Sequence, residues 1–225
     1  MKKLLKGIVD FRENMLLDYR SKFSKLAHRQ SPDALFVACC DSRVVPNTFA
    51  SSDPGDLFVL RNIGNIIPPY ACEPHHSYQM DVAVAATIEF SLLNLNVQDI
   101  IICGHSECGA MQTLLQNTVQ PSHLSSPLYQ WVQYAASSYE RFKRSKTKNP
   151  HISPCNFLSQ INVIQQLENL KTYPWVMERL QMNKLRIHGW WFDLTTADVF
   201  YYEKQSDQFL LIDGEGAINI LEYLG

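Results

Sequence analysis

Two short apolar runs, Ala34-Leu35-Phe36-Val37-Ala38 and Asp99-Ile100-Ile101-Ile102-Cys103, most constrain how this chain can fold. Continuous rather than alternating hydrophobicity over so few residues reads as strands covered on both faces. Each run is followed at once by a patch of reactive side chains, Cys39-Cys40-Asp41-Ser42-Arg43 after the first and His105-Ser106-Glu107-Cys108-Gly109 after the second. Together the patches offer a thiolate, an imidazole and a second thiolate, with a carboxylate and a guanidinium close by. Three such ligands suit zinc and leave one position on the ion for chemistry.

The rest of the chain supplies helices between strands. Residues 3 to 28 carry Leu4, Ile8, Phe11, Met15, Leu16, Tyr19, Phe23 and Leu26 at near-helical spacing, which predicts one long amphipathic helix or two abutting ones. Gln30-Ser31-Pro32-Asp33 ends it, and strands are expected at 34–39, 56–61, 98–103 and 185–192. Helices are expected over 76–95 and from His105 to Leu115. A hairpin pair at 199–202 and 209–212 and a short helix over 217–224 close the chain. The fold class is therefore α/β: a mainly parallel central sheet flanked by helices, with a long N-terminal helical arm and a late antiparallel strand. One domain over residues 1–225 is expected, with residues 1–29 as the arm and 30–225 as the metal-binding core.

Composition excludes several functions. Apolar residues make up 46% and charged residues 19%, and the formal net charge is −2, so a polyanionic partner is not indicated. The basic run from Arg141 to Lys148 holds one aromatic, Phe142, and reads as a solvated helix end rather than a nucleic-acid surface. No stretch reaches the ~20 apolar residues of a membrane span. Lys6, Asp10 and Arg12 interrupt the N-terminal apolar stretch before an export signal could form. Six cysteines in a chain of 225 residues suit reduced thiols better than a disulfide framework, so the cytoplasm is the expected compartment.

Within the patches, adjacent side chains on an extended segment point to opposite sides, so only one of Cys39 and Cys40 is expected to reach a metal. On that geometry Asp41 shares the side of Cys39. His105 and Cys108, three apart, are expected to share one face of a helix start. Cys39, His105 and Cys108 would then fill three corners of a tetrahedron. Arg43 would clamp Asp41 in a bidentate pair and keep it from taking the fourth corner. The competing reading is a structural zinc knot closed by Cys40, Cys103 or Asp41. His75, His76, His123, His151 and His188 read as surface or satisfied core residues. Cys72 and Cys155 have no recognisable partner.

At this point the residues resemble a known family. Cys39-Cys40-Asp41-Ser42-Arg43-Val44 is similar to the Cys-x-Asp-Ser-Arg-Val signature of β-class carbonic anhydrases, and Gly104-His105-Ser106-Glu107-Cys108-Gly109 to their Gly-His-x-x-Cys-Gly segment. The likeness extends to Pro54-Gly55-Asp56-Leu57-Phe58-Val59, Arg61-Asn62-Ile63-Gly64-Asn65, Ile88-Glu89-Phe90 and Leu185-Arg186-Ile187-His188-Gly189-Trp190. It implies one Zn²⁺ per chain held by Cys39, His105 and Cys108, with Asp41 and Arg43 as a catalytic dyad. Gln30-Ser31-Pro32 and Ile66-Ile67-Pro68-Pro69-Tyr70 look like the plant-type subtype, in which the glutamine reaches into a neighbouring subunit's pocket. Phe36 stands where the bicarbonate-inhibited subtype carries tryptophan, which implies an open site. Phe90 stands where plant-type enzymes often have a tyrosine.

The activity so implied is reversible hydration of CO₂ to bicarbonate, with a zinc-held hydroxide as nucleophile. Phe58, Ile63 and Phe90 are candidates for an apolar wall, Gly109 for a place beside the substrate, and Gln30 for a donor from the partner of a homodimer or higher homo-oligomer. Two alternatives stand beside it: hydrolysis of carbonyl sulfide or carbon disulfide on the same scaffold, and a non-enzymatic zinc-stabilised module.

Overall fold

A computed structural model of the chain describes residues 1–70, 81–116, 126–146 and 149–224. Six strands form one sheet: β1 (Ala34–Cys39), β2 (Leu57–Asn62), β3 (Asp99–His105), β4 (Arg186–Phe192), β5 (Val199–Glu203) and β6 (Gln208–Leu211), in the order β2-β1-β3-β4-β5-β6. The first four run parallel and the last two antiparallel. All six residues of β1 are buried, as the unbroken apolar run requires. Leu35, Phe36 and Val37 are fully covered, each worth about 1.5–3 kcal/mol of apolar burial.

The topology decides where a site can form. β1 lies between β2 and β3, so the chain leaves β1 toward one side of the sheet and later returns to pair on the other. Ligand sites in open parallel sheets form outside the carboxyl ends of strands at such a switch point. Ala38 pairs in register with Cys103. The residues just beyond, Cys39 on β1 and Gly104-His105 on β3, therefore emerge side by side.

Helices cover the faces. The arm is α1 (Lys2–Asp10), a π-helical turn over Phe11–Met15, and α2 (Leu16–Leu26), so two abutting helices are joined through one wide turn. Neither α1 nor α2 has a buried residue. The short α3 (Pro46–Phe49) precedes β2, and α4 (Val82–Leu93) follows it. The helix expected over 76–95 is α4, with residues 76–80 outside the described ones. After β3 come α5 (Gly109–Leu115), α6 (Pro127–Gln133), α7 (Ala136–Arg144), α8 (Pro154–Leu170) and α9 (Pro174–Gln181), and α10 (Gly214–Leu224) ends the chain. Gly104 of β3 and Gly189 of β4 both face Val163 of α8. A Cβ on Gly104 would lie 2.6 Å from Val163 Cγ2, so the bare glycine lets α8 sit close against the strands that carry the site.

One expectation needs correcting. The helix predicted from His105 starts instead at Gly109, and His105 is the last residue of β3. Ser106-Glu107 forms a turn between them, with Glu107 in the left-handed region at φ 54°. His105 and Cys108 thus converge through a tight turn rather than along one helix face.

Candidate metal centre

Cys39, His105 and Cys108 are brought together. One ligand atom from each, two Sγ and an imidazole nitrogen, all lie within 4.8 Å of one another, and all three residues are buried. That spacing accommodates bonds of about 2.0–2.3 Å to a common ion. Among the described residues no fourth cysteine, histidine or carboxylate belongs to the group. Cys40 is exposed. Cys103 is fully buried in a separate apolar cluster with Phe36 and Phe192, where burial pushes its thiol far up. Neither closes the set, so the sealed-knot reading has no donor among the described residues.

The histidine is oriented for the role. His105 Nδ1 lies 2.8 Å from the Ser106 carbonyl, which makes Nδ1 the protonated nitrogen. Nε2 is then left with its lone pair, buried and without a hydrogen-bond partner. An orphaned acceptor of this kind beside two sulfurs is what a metal ligand looks like in the metal's absence.

The sulfurs behave as a pair. The Cys39 thiol is pulled well down, first by the adjacent Cys108 thiol and then by the backbone N–H groups of Gly64 and Asp41. The same pairing and burial push Cys108 well up, against the N–H groups of Ala110 and Met111. The pair therefore favours a thiolate on Cys39 and a proton on Cys108. A divalent cation among them would displace that proton, giving the dithiolate that soft N/S sites use.

Asp41 and Arg43 form the expected dyad. Arg43 Nε donates to Asp41 Oδ1 at 2.9 Å and Nη2 to Oδ2 at 2.7 Å, and the Arg43 backbone N–H adds a bond of 3.0 Å to Oδ1. The Arg43 hydrogen bond holds the Asp41 carboxyl well below the usual carboxylate range, with the nearby His105 contributing. Arg43 Nη2 also reaches the Glu107 carbonyl at 3.3 Å, tying one patch to the other.

Several further residues support the two patches. Arg61 at the end of β2 donates to the carbonyls of Cys39, Asp41 and Val44 at 2.6–3.0 Å, so one guanidinium shapes the whole 39–44 loop. The Gly64 N–H lies 3.3 Å from Cys39 Sγ. Gly64 has φ +79°, and a Cβ there would meet Ala110 Cβ at 2.7 Å, so both conformation and space demand glycine. The 105–108 turn is held by Ser106 Oγ on Asp193 (3.2 Å), by Ser159 Oγ on the His105 carbonyl (2.7 Å), and by the Glu107 N–H on Asn156 Oδ1 (2.8 Å). The signal for Arg61 and Gly64 is the Arg-Asn-Ile-Gly-Asn loop itself; the others lie far away in sequence.

The pocket residues divide. A Cβ on Gly109, the residue after Cys108, would meet nothing within 4 Å, so open space adjoins that ligand; Ile63, next to Gly64, is 43% exposed. Phe58 pairs in register with Leu35, four residues before Cys39, or roughly 13 Å down the strand. Its ring packs on Phe90 of α4, centroids 5.8 Å apart. Gln30, exposed, precedes β1 at that same end of the sheet. Within one chain, Phe58, Phe90 and Gln30 therefore stand toward the far end of the strands from Cys39. His188 bonds Asp99 at 2.7 Å near the opposite strand ends. Cys72, His75, His76 and His123 lie outside the described residues.

Comparison with known proteins agrees with this geometry. The family model described as carbonic anhydrase matches residues 34–199. A carbonic anhydrase of Synechocystis is 36% identical over 228 residues, covering 99% of this chain and 77% of that protein. The solved structure of the β-carbonic anhydrase CcaA is 34% identical with a TM-score of 0.83, covering 94% of this chain and 98% of that one. One of two tetrameric β-carbonic anhydrases of Sordaria macrospora is 25% identical with a TM-score of 0.73, covering 89% and 95%. The chain belongs to the carbonic anhydrases. Within them it is of the β class, an enzyme of the lyase type.

Proposed function

We propose that the chain catalyses reversible hydration of CO₂ to bicarbonate and a proton at one zinc ion held by Cys39 Sγ, His105 Nε2 and Cys108 Sγ. The observation that carries this reading is the open three-donor set, with a buried, unpartnered Nε2 and an ionised carboxylate held beside it by Arg43. When bound, zinc supplies a Lewis acid that brings the ionisation of a water toward neutral pH.

The chain's own residues do the rest. Asp41 accepts a hydrogen bond from the attacking water and aims its lone pair at the CO₂ carbon. Its depressed pKa makes it too weak a base to keep a proton, so it orients and the proton leaves to solvent or buffer. Arg43 fixes Asp41 and denies it the fourth position. The Gly64 and Asp41 N–H groups on Cys39 Sγ withdraw density from that sulfur, which favours a more acidic water. Ile63 and Gly109 border the space for substrate.

Gln30, Phe58 and Phe90 serve a site across a subunit interface in this reading, because they stand at the other end of their own sheet. The arm supports such an assembly. Leu4, Leu5, Ile8 and Leu17 are 55–82% exposed, an apolar face that one chain leaves uncovered. Lys22 pairs with Asp53 at 2.7 Å, so the end of the arm is anchored while the rest reaches outward. A homodimer or higher homo-oligomer follows, as for the tetrameric relatives. Residues 1–225 act as one unit of arm and core, of the plant-type open-site subtype, working in the cytoplasm with reduced thiols. Among the described residues no helix is long and apolar enough to cross a membrane.

Stopped-flow CO₂ hydration by protein with one zinc per chain tests this. Turnover between pH 7 and 9 is expected. Its absence, with hydrolysis of carbonyl sulfide or carbon disulfide in its place, would transfer the site to those substrates.

A further inference from the structure

Three amide side chains on α8, Asn162, Gln166 and Asn169, are at most 4% exposed. Buried amides of this kind are costly unless each group is paired, and these form a connected ladder. Asn169 Nδ2 donates to the Ile67 carbonyl (2.8 Å) and to Gln166 Oε1 (3.0 Å), which also accepts the Ile67 N–H (2.8 Å). Gln166 Nε2 donates to Asn162 Oδ1 at 2.8 Å, and the Ser138 hydroxyl donates to the same oxygen at 2.9 Å. With its oxygen so fixed, Asn162 points its Nδ2 at the Gly64 carbonyl, 3.1 Å away.

Gly64 is the residue whose own N–H sits on Cys39 Sγ. It is confined on another side by Ala110, in the first turn of α5 after Cys108. The ladder thus ends one residue's backbone away from a metal-ligating sulfur. We infer that Asn162 is a positioning residue for the metal centre: by holding the Gly64 carbonyl it keeps the Gly64 N–H on Cys39 Sγ and so sets how strongly that sulfur donates to a bound ion. This rests on the metal assignment proposed above. Loss of the N–H would make Cys39 a stronger donor and the ion a weaker Lewis acid.

Cobalt(II) substitution reads the effect at sulfur, because sulfur-to-cobalt charge-transfer bands move to longer wavelength as the thiolate becomes more electron-rich. Asn162→Leu keeps bulk without the donor, and Asn162→Ser keeps a polar group near Ser138 and Gln166 that does not reach Gly64. Both are expected to bind one cobalt per chain, to shift those bands to longer wavelength, and in their zinc forms to lose about tenfold in hydration. Ser138→Ala removes one of the two donors to Asn162 Oδ1 and keeps the Gln166 one, so the Asn162–Gly64 contact is expected to persist and the bands to stay unmoved.

Unmoved bands in folded, cobalt-loaded Asn162 variants would overturn the inference alone. Failure of the unaltered protein to bind cobalt would overturn the metal assignment and this inference with it. Should neither Asn162 variant fold, hydrogen exchange in the unaltered metal-loaded protein decides. A Gly64 amide slowed well below exposed-loop rates is expected, and one exchanging freely would contradict the inference.

Discussion

The Arg43 guanidinium meets the Asp41 carboxylate side-on, with Nε 2.9 Å from Oδ1 and Nη2 2.7 Å from Oδ2. Two parallel charge-assisted bonds fix both the position and the plane of the carboxylate. Arg43 is exposed, so the pair's contribution to folding is small, and its consequence is directional. The ionised oxygens remain beside the three-donor group without belonging to it.

Asp41→Asn keeps the shape and removes the charge. The variant is expected to retain one zinc per chain while CO₂ hydration falls by roughly 10- to 100-fold. Stopped-flow rates equal to those of the unaltered enzyme would remove Asp41 from the mechanism.

Arg61 is expected to matter to both stability and rate. Its guanidinium supports the carbonyls of Cys39, Asp41 and Val44, and Arg61→Ala leaves those acceptors without that donor. A loss of about 2–4 kcal/mol in unfolding free energy is expected from denaturant titration, with hydration reduced in the surviving protein. Full stability in Arg61→Ala would show that water replaces the guanidinium at no cost.

The cysteines should separate cleanly by metal content. Cys39→Ser, His105→Ala and Cys108→Ser are each expected to lose tightly held zinc, measured as metal per chain after dialysis against a chelator. Cys40→Ser is expected to keep it, since Cys40 is exposed and outside the group. Loss of metal from Cys40→Ser would contradict the ligand set.

An acid-sensitive contribution to stability lies at the other end of the sheet. Asp99 accepts from Arg186 at 2.8 and 2.7 Å and lies 2.7 Å from His188 Nε2. Burial raises its pKa, but the Arg186 and His188 hydrogen bonds and charges together hold it below the usual range. A carboxylate depressed in the folded state contributes stability above its unfolded value, near pH ~3.9, and loses it as pH falls through the folded value. Asp99→Asn is therefore expected to lower stability at pH 7 by about 2 kcal/mol and to flatten the acid limb. Equal urea midpoints for the two proteins at pH 7 would reject this.

The sheet and the grouping of Cys39, His105 and Cys108 were legible because their signals are local. β1 is an unbroken apolar run ending in Cys39, and the structure starts and ends that strand where the run does. The helix expected from His105 was displaced because a left-handed Glu107 breaks the chain between strand and helix, and a glutamate gives no warning of positive φ. Phe58 and Phe90 belong to motifs close in sequence to the metal patches, but sequence gives no strand register. Strand register separates them from Cys39 within one chain. The amides of α8 are the least legible feature. Polar residues at 162, 166 and 169 have the spacing of a solvated helix face, yet they are buried because free backbone groups of Gly64 and Ile67 lie opposite.

Crystals of the zinc-loaded protein near pH 8, with anomalous data collected across the zinc edge, give the most direct test. One peak per chain is expected, bonded to Cys39 Sγ, His105 Nε2 and Cys108 Sγ, with a non-protein oxygen in the fourth position and Asp41 still clasped by Arg43. A peak elsewhere, or one bonded to Asp41 or a third cysteine, would contradict the account.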